Sequence, residues 1–131
     1  MNDEKKLILL VDDDVDYLFQ LETMVKNLGF NVMTAESQME AEKVLKTTKP
    51  DLSIIDLMME QEDSGFILAY RARKKYPDMP IIIASAATAE TGYNFDLYTD
   101  NNKNWIKADL YLEKGIRSDQ LHREINKLLK I

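Results

Sequence analysis

Hydrophobic positions along this chain alternate between short unbroken runs and stretches spaced for a helix. Leu7–Val11 is the first run, and it meets a block of aspartates at once. An apolar run of that length with such a stop suits a buried strand. Val15, Leu18, Leu21 or Glu22, Val25 and Leu28 follow at helical spacing, with Gly29 as a C-terminal stop. Asn31–Ala35 predicts a short second strand. Ser37-Gln-Met-Glu40 is a capping box, and the helix it opens runs through Val44 and Leu45 to about Lys46. Pro50 punctuates the chain before a third strand, Leu52–Asp56. Asp63 or Ser64 caps a helix from about Gly65 to Lys75, which Pro77 and Pro80 close off. Ile81–Ser85 and Asp109–Glu113 predict the fourth and fifth strands. Ser118 caps a last helix in which Leu121, Ile125, Leu128 and Leu129 share a face. Strands alternating with helices predict an α/β fold with a parallel sheet covered on both faces. Right-handed crossovers then gather the C-terminal strand ends along one edge.

Length and composition predict one domain over residues 1–131, and the expectation is that no output domain is attached. The chain has 131 residues, 45% hydrophobic and 31% charged, which is enough apolar material for one core. It has no cysteine, so disulfides and thiolate metal sites are excluded. The first apolar run is too short for a signal-peptide core or a membrane span, which predicts a cytoplasmic protein without membrane contact. Seventeen basic side chains stand against 23 acidic ones, a net charge of −6, and no basic footprint for direct nucleic-acid binding is visible. Part of that acidity is concentrated in Asp12, Asp13, Asp14 and Asp16. So dense a carboxylate cluster repels phosphate unless a cation is held there, which suggests a hard metal ion.

The strand ends carry the candidate chemistry. Strand one ends in Asp12 and Asp13, strand three in Asp56, strand four in Ser85, and strand five at Lys114. In an open parallel sheet those ends line the ligand crevice. Each residue alone is uninformative, since an aspartate at a strand end is usually a turn residue. Their joint placement suits phosphoryl transfer to a carboxylate. Asp56 is the best nucleophile because it follows the buried run Leu52-Ser-Ile-Ile55. Mg²⁺ would be ligated by Asp13 and Asp56, with Asp12 holding a coordinated water. Lys114 and the Ser85 hydroxyl would serve phosphoryl oxygens.

Four stretches resemble the response-regulator receiver family: Leu9-Leu-Val-Asp-Asp-Asp14, Ile54-Ile-Asp-Leu-Met-Met59 with Gly65 downstream, Pro80-Ile-Ile-Ile-Ala-Ser85-Ala, and Ala108-Asp-Leu-Tyr-Leu-Glu-Lys114. They come in the family's order, cover essentially the whole chain, and place acidic pair and acceptor 43 positions apart (13 to 56). The resemblance implies a flavodoxin-like five-stranded sheet of order 2-1-3-4-5. It implies phosphorylation of Asp56 by a histidine kinase or a histidine phosphotransfer protein, and the Met58 backbone carbonyl as a further metal ligand. It also implies a switch: Ser85 is drawn inward, the Tyr111 ring turns in, and a face is re-shaped. That face is made by the helix before strand five, strand five itself and the last helix. It would serve a downstream protein or a homodimer. The family is not one of turnover enzymes.

Departures from the family pattern qualify these expectations. The usual Lys-Pro pair is Lys114-Gly115, and a cis bond before a residue other than proline costs about 2.5–4 kcal/mol. The acceptor loop, Met59-Glu-Gln-Glu-Asp-Ser-Gly65, is one residue longer and carries Glu60 and Glu62. Ser85 to Lys114 spans 29 positions with poor helical periodicity. Tyr93, Phe95, Tyr98 and Trp105 there form a partner surface or pack a longer loop. Met58 and Ala87 stand where the family orients attacking water, and neither offers a strong hydrogen-bonding side chain, so the acyl phosphate should hydrolyse slowly. His122, the single histidine, reads as an ordinary helix residue. Two alternatives stay open: an unphosphorylated interaction module with the same fold, and a haloacid-dehalogenase-type phosphatase built on Asp12-Asp-Asp14.

Overall fold

The computed structural model describes residues 5–59, 61, 63–85 and 108–131. Five strands, β1 (Leu7–Val11), β2 (Asn31–Ala35), β3 (Leu52–Asp56), β4 (Ile81–Ser85) and β5 (Leu110–Glu113), form one sheet of order β2-β1-β3-β4-β5. Every neighbouring pair is parallel. Four described helices accompany it: α1 (Val15–Asn27), α2 (Gln38–Thr47), α3 (Ser64–Lys75) and α4 (Ser118–Leu129). The strand order is the one the resemblance implies.

The apolar runs are buried on both faces of the sheet, which is why they lack a polar side. Along β1, Leu9 and Val11 join one core with Leu45 of α2 and Phe66, Leu68 and Ala72 of α3. Ile8 and Leu10 join the other with Leu18, Leu21 and Val25 of α1 and Leu121 and Ile125 of α4. The period of two along each strand sorts the side chains between the layers.

Local chemistry sets the helix ends. Asp14 is the N-cap of α1, accepting from the Tyr17 N–H at 3.2 Å. Its C-terminus closes as a Schellman motif: Gly29, at φ +102°, donates to Lys26 O, and Phe30 N–H reaches Val25 O at 3.4 Å. Ser37 caps α2 through Glu40 N–H at 3.0 Å, while the Glu40 carboxylate accepts from Glu36 N–H at 2.8 Å, one residue before the cap. Asp109 fastens the start of β4 to the start of β5. Its N–H donates to Ile81 O, its carboxylate accepts from Ile81 N–H at 2.8 Å, and it pairs with Arg73.

Several expectations are corrected. Ser118 does not cap α4: Arg117 is the N-cap, in extended geometry, and Ser118 is already helical. A bidentate Arg117–Asp119 pair occupies that first turn instead. Asp63 holds the N-cap position of α3 without a side-chain cap bond, and the buried Ser64 hydroxyl accepts from Gln61 N–H at 2.9 Å. Val15 is 52% exposed, outside the buried stripe of α1, because the sheet-facing positions of that helix begin at Leu18.

Candidate functional site

The sheet changes direction between β1 and β3. The connection after β1 leads to β2 on one side, and the next strand in sequence pairs on the other. At such a switch point the two following loops part and leave a crevice. Asp12 and Asp13 follow β1 directly, and Asp56 is the last residue of β3. One carboxylate oxygen from each of Asp12, Asp13 and Asp56 lies within 4.8 Å of the other two. Asp12 and Asp56 are buried, at 2% and 6% exposure, whereas Asp13 faces solvent.

Lys114, one residue past β5, completes the cluster from the far side. Its Nζ lies 2.7 Å from Asp12 Oδ2 and 3.2 Å from Asp56 Oδ1. Burial, the Asp12 carboxylate and, more weakly, Asp13 push the Asp56 carboxyl up to about 7, against the pull of Lys114. Burial draws the Lys114 ammonium downward, but Asp12 and Asp56 outweigh it and raise it overall. The site therefore gathers more negative charge than one ammonium neutralises. Three close oxygen donors with surplus negative charge are a fitting set for a small hard divalent ion.

The structure brings the other expected residues to the same edge in different ways. Ser85 ends β4, is 3% exposed, and accepts the Lys114 N–H on its carbonyl at 2.7 Å. Asp56 pairs with Ala84, so Ser85 lies one step beyond it on the adjacent strand. Tyr111 pairs with Ile83 in β5 and packs against the core under α2 and α3, and its burial pushes the phenol up to about 12. Met58 packs its side chain on that same core. The Lys114–Gly115 peptide is trans, and Gly115 takes φ +92°, a region that favours glycine. Ala87, Glu60, Glu62, Tyr93, Phe95, Tyr98 and Trp105 lie outside the described residues, as does the segment before β5 that would contribute to the expected output face. His122 meets the edge of the Phe30 ring at a centroid distance of 6.0 Å, a packing role away from the crevice.

Gly65 explains how the Asp56 end of β3 is held. Its N–H donates to Leu57 O at 2.8 Å, and a Cβ there would meet Asp56 O and lie 2.7 Å from Leu57 Cα. Only glycine lets α3 approach the backbone of Asp56 and Leu57 so closely. One site residue escaped sequence reasoning. Tyr17, in the first turn of α1, sets its ring 4.9 Å from Lys114 Nζ. The signal lay in its position just after the aspartate block, but aromatic residues in a first helical turn are too common to single out.

A sequence profile described as the response regulator receiver domain matches residues 8–126. A probable transcriptional regulator, ycf27 of Cyanophora paradoxa, is 32% identical over 130 residues, covering 99% of this chain and 51% of its own. The chain thus spans about half the length of that curated relative. Response regulator protein TrrA from Thermotoga maritima, solved in complex with Mg(2+)-BeF, is 31% identical with a TM-score of 0.78, covering 94% of this chain and 98% of that one. A CheY-like receiver domain protein from Methanospirillum hungatei JF-1 shares the fold at a TM-score of 0.81 and 24% identity, covering 97% and 95%. No described helix is long and apolar enough to cross a membrane.

Proposed function

The chain belongs to the response regulator receiver domain family, and from that premise we propose that it takes a phosphoryl group onto Asp56 from a phosphohistidine donor, with Mg²⁺ held by Asp12, Asp13 and Asp56. The observation that carries this reading is the convergence of three carboxylates and Lys114 at the switch point, with Asp56 the buried member of raised pKa. A bound divalent ion neutralises charge that would otherwise keep carboxylate and phosphate apart. The Met58 backbone carbonyl would be a further ligand to that ion.

An Asp56 carboxylate oxygen attacks phosphorus. The new O–P bond forms as the donor's P–N bond breaks, and the bonding pair stays on the departing imidazole. Lys114 exchanges its Asp56 contact for a phosphoryl oxygen, and the Ser85 hydroxyl donates to another. The Tyr111 ring follows Ser85 inward and alters the surface around β5 and α4, a local packing change that biases a two-state element. The product stays on the chain, so no substrate is turned over. The donor is a histidine kinase or histidine phosphotransfer protein in the cytoplasm. The response passes to a downstream protein or through a homodimer at that surface.

The test is labelling with acetyl phosphate, followed by intact mass. Incorporation of one phosphoryl group that needs Mg²⁺ and is absent in Asp56→Asn supports the proposal. Label that persists in Asp56→Asn refutes Asp56 as the acceptor, and none in the wild type with Mg²⁺ refutes the proposal and favours an unphosphorylated interaction module. The phosphatase reading, built on Asp12-Asp-Asp14, is not favoured by the family match.

A further inference from the structure

We propose that Tyr17 is a positioning residue for Lys114, its ring holding the ammonium at the crevice when the carboxylates turn to other partners. The inference deepens the acceptor reading above and rests on it.

Lys114 has little in its own stretch of chain to fix it. It is followed by Gly115 at φ +92°, and nothing lies within 4 Å of where a Cβ on that glycine would be. A flexible four-carbon stem beside an open glycine turn samples many rotamers unless partners select one. The structure supplies three: Asp12 Oδ2 at 2.7 Å, Asp56 Oδ1 at 3.2 Å and the Tyr17 ring centroid at 4.9 Å. Two of these are the carboxylates that a divalent ion and a phosphoryl group would claim. The ring is the partner those ligands do not claim, because it carries no charge and binds a cation through its face.

Tyr17 is itself well fixed. The Asp14 side chain accepts its N–H at 3.2 Å in the first turn of α1, and the residue packs against the core under α1 and α4. A ring so anchored meets the ammonium of Lys114 from a fixed position. A leucine at this position would keep a good helix former and an apolar body while removing the π face and the hydroxyl.

The test measures acetyl phosphate labelling rates on the full chain across Mg²⁺ and donor concentrations. The variants are Tyr17→Leu, Tyr17→Phe, Lys114→Ala and the Tyr17→Leu/Lys114→Ala double variant. Tyr17→Leu should lower the plateau rate roughly 5- to 30-fold while leaving the half-saturating Mg²⁺ concentration unchanged. Tyr17→Phe, which keeps the ring, should restore most of the rate. In the Lys114→Ala background, Tyr17→Leu should have no further effect, because the interaction it removes is already gone. The proposal is overturned by a Tyr17→Leu rate equal to wild type, by equal losses in both backgrounds, or by Tyr17→Phe as slow as Tyr17→Leu. A wild type that takes no label sinks the acceptor reading and this inference with it, whereas a labelled wild type with an indifferent Tyr17 sinks this inference alone.

Discussion

Replacing Asp56 with asparagine in the metal-free protein should raise folding stability, and by an amount that depends on pH. Burial and the Asp12 carboxylate lift the Asp56 carboxyl from 3.8 to about 7 in the folded chain. As pH rises, the unfolded chain releases this proton first, so the native state is progressively penalised between about pH 4 and pH 7. Each unit of difference is about 1.4 kcal/mol, so the full penalty approaches ~4 kcal/mol, of which roughly 2–3 kcal/mol accrues between pH 5 and pH 8. Asparagine has nearly the same shape and no charge, and therefore lacks that slope. For a chain of 131 residues, a 1 kcal/mol change moves the melting temperature by about 3–4 °C. The assay is thermal unfolding followed by circular dichroism in chelator, wild type against Asp56→Asn, at about pH 5 and pH 8. The variant should melt higher at pH 8 by several degrees more than at pH 5. Saturating Mg²⁺ should narrow or reverse the gap, because the ion binds the ionised wild-type site better. A gap that does not change with pH, or a wild type more stable at pH 8 in chelator, refutes the charge argument.

Three further outcomes are expected. Gly65→Ala should destabilise by roughly 2–4 kcal/mol in urea unfolding and slow labelling of Asp56, because the new methyl meets the Asp56 and Leu57 backbone, which cannot yield as a side chain would; an unchanged midpoint and rate would count against that packing. Asp109→Ala should cost about 1–3 kcal/mol without changing the labelling rate per folded molecule, since it strands the Ile81 N–H and the Arg73 guanidinium far from the crevice; a selective loss of labelling would contradict the assignment. The acyl phosphate should persist for minutes or longer in isolated protein, because Met58 and Ala87 cannot orient water through polar side chains; decay within seconds would refute this.

The three central strands were readable because each is buried on both faces, so Leu7–Val11, Leu52–Asp56 and Ile81–Ser85 appear as continuous apolar runs. The meeting of Asp12, Asp13, Asp56 and Lys114 followed from strand ends alone, since a parallel sheet leaves them few other places to be. Helix starts were harder. Ser118 looked like a cap, yet the backbone turns helical one residue earlier, and an Arg117–Asp119 pair supports the turn without a hydroxyl. Val15 fits the helical spacing of α1 but sits on its solvent side, because apolar identity does not report which residues of a first turn face the sheet. Tyr17 was missed for a related reason: its contact to Lys114 joins residues distant in sequence through tertiary placement that no local pattern encodes.

The seam where α3 meets the end of β3 has a mechanical meaning. With no side chain at Gly65 and its amide bonded to Leu57, the first turn of that helix and the Asp56–Leu57 peptide are joined almost as one rigid piece. A protein gripping the start of α3 would therefore tug directly on Asp56, without any lever in between.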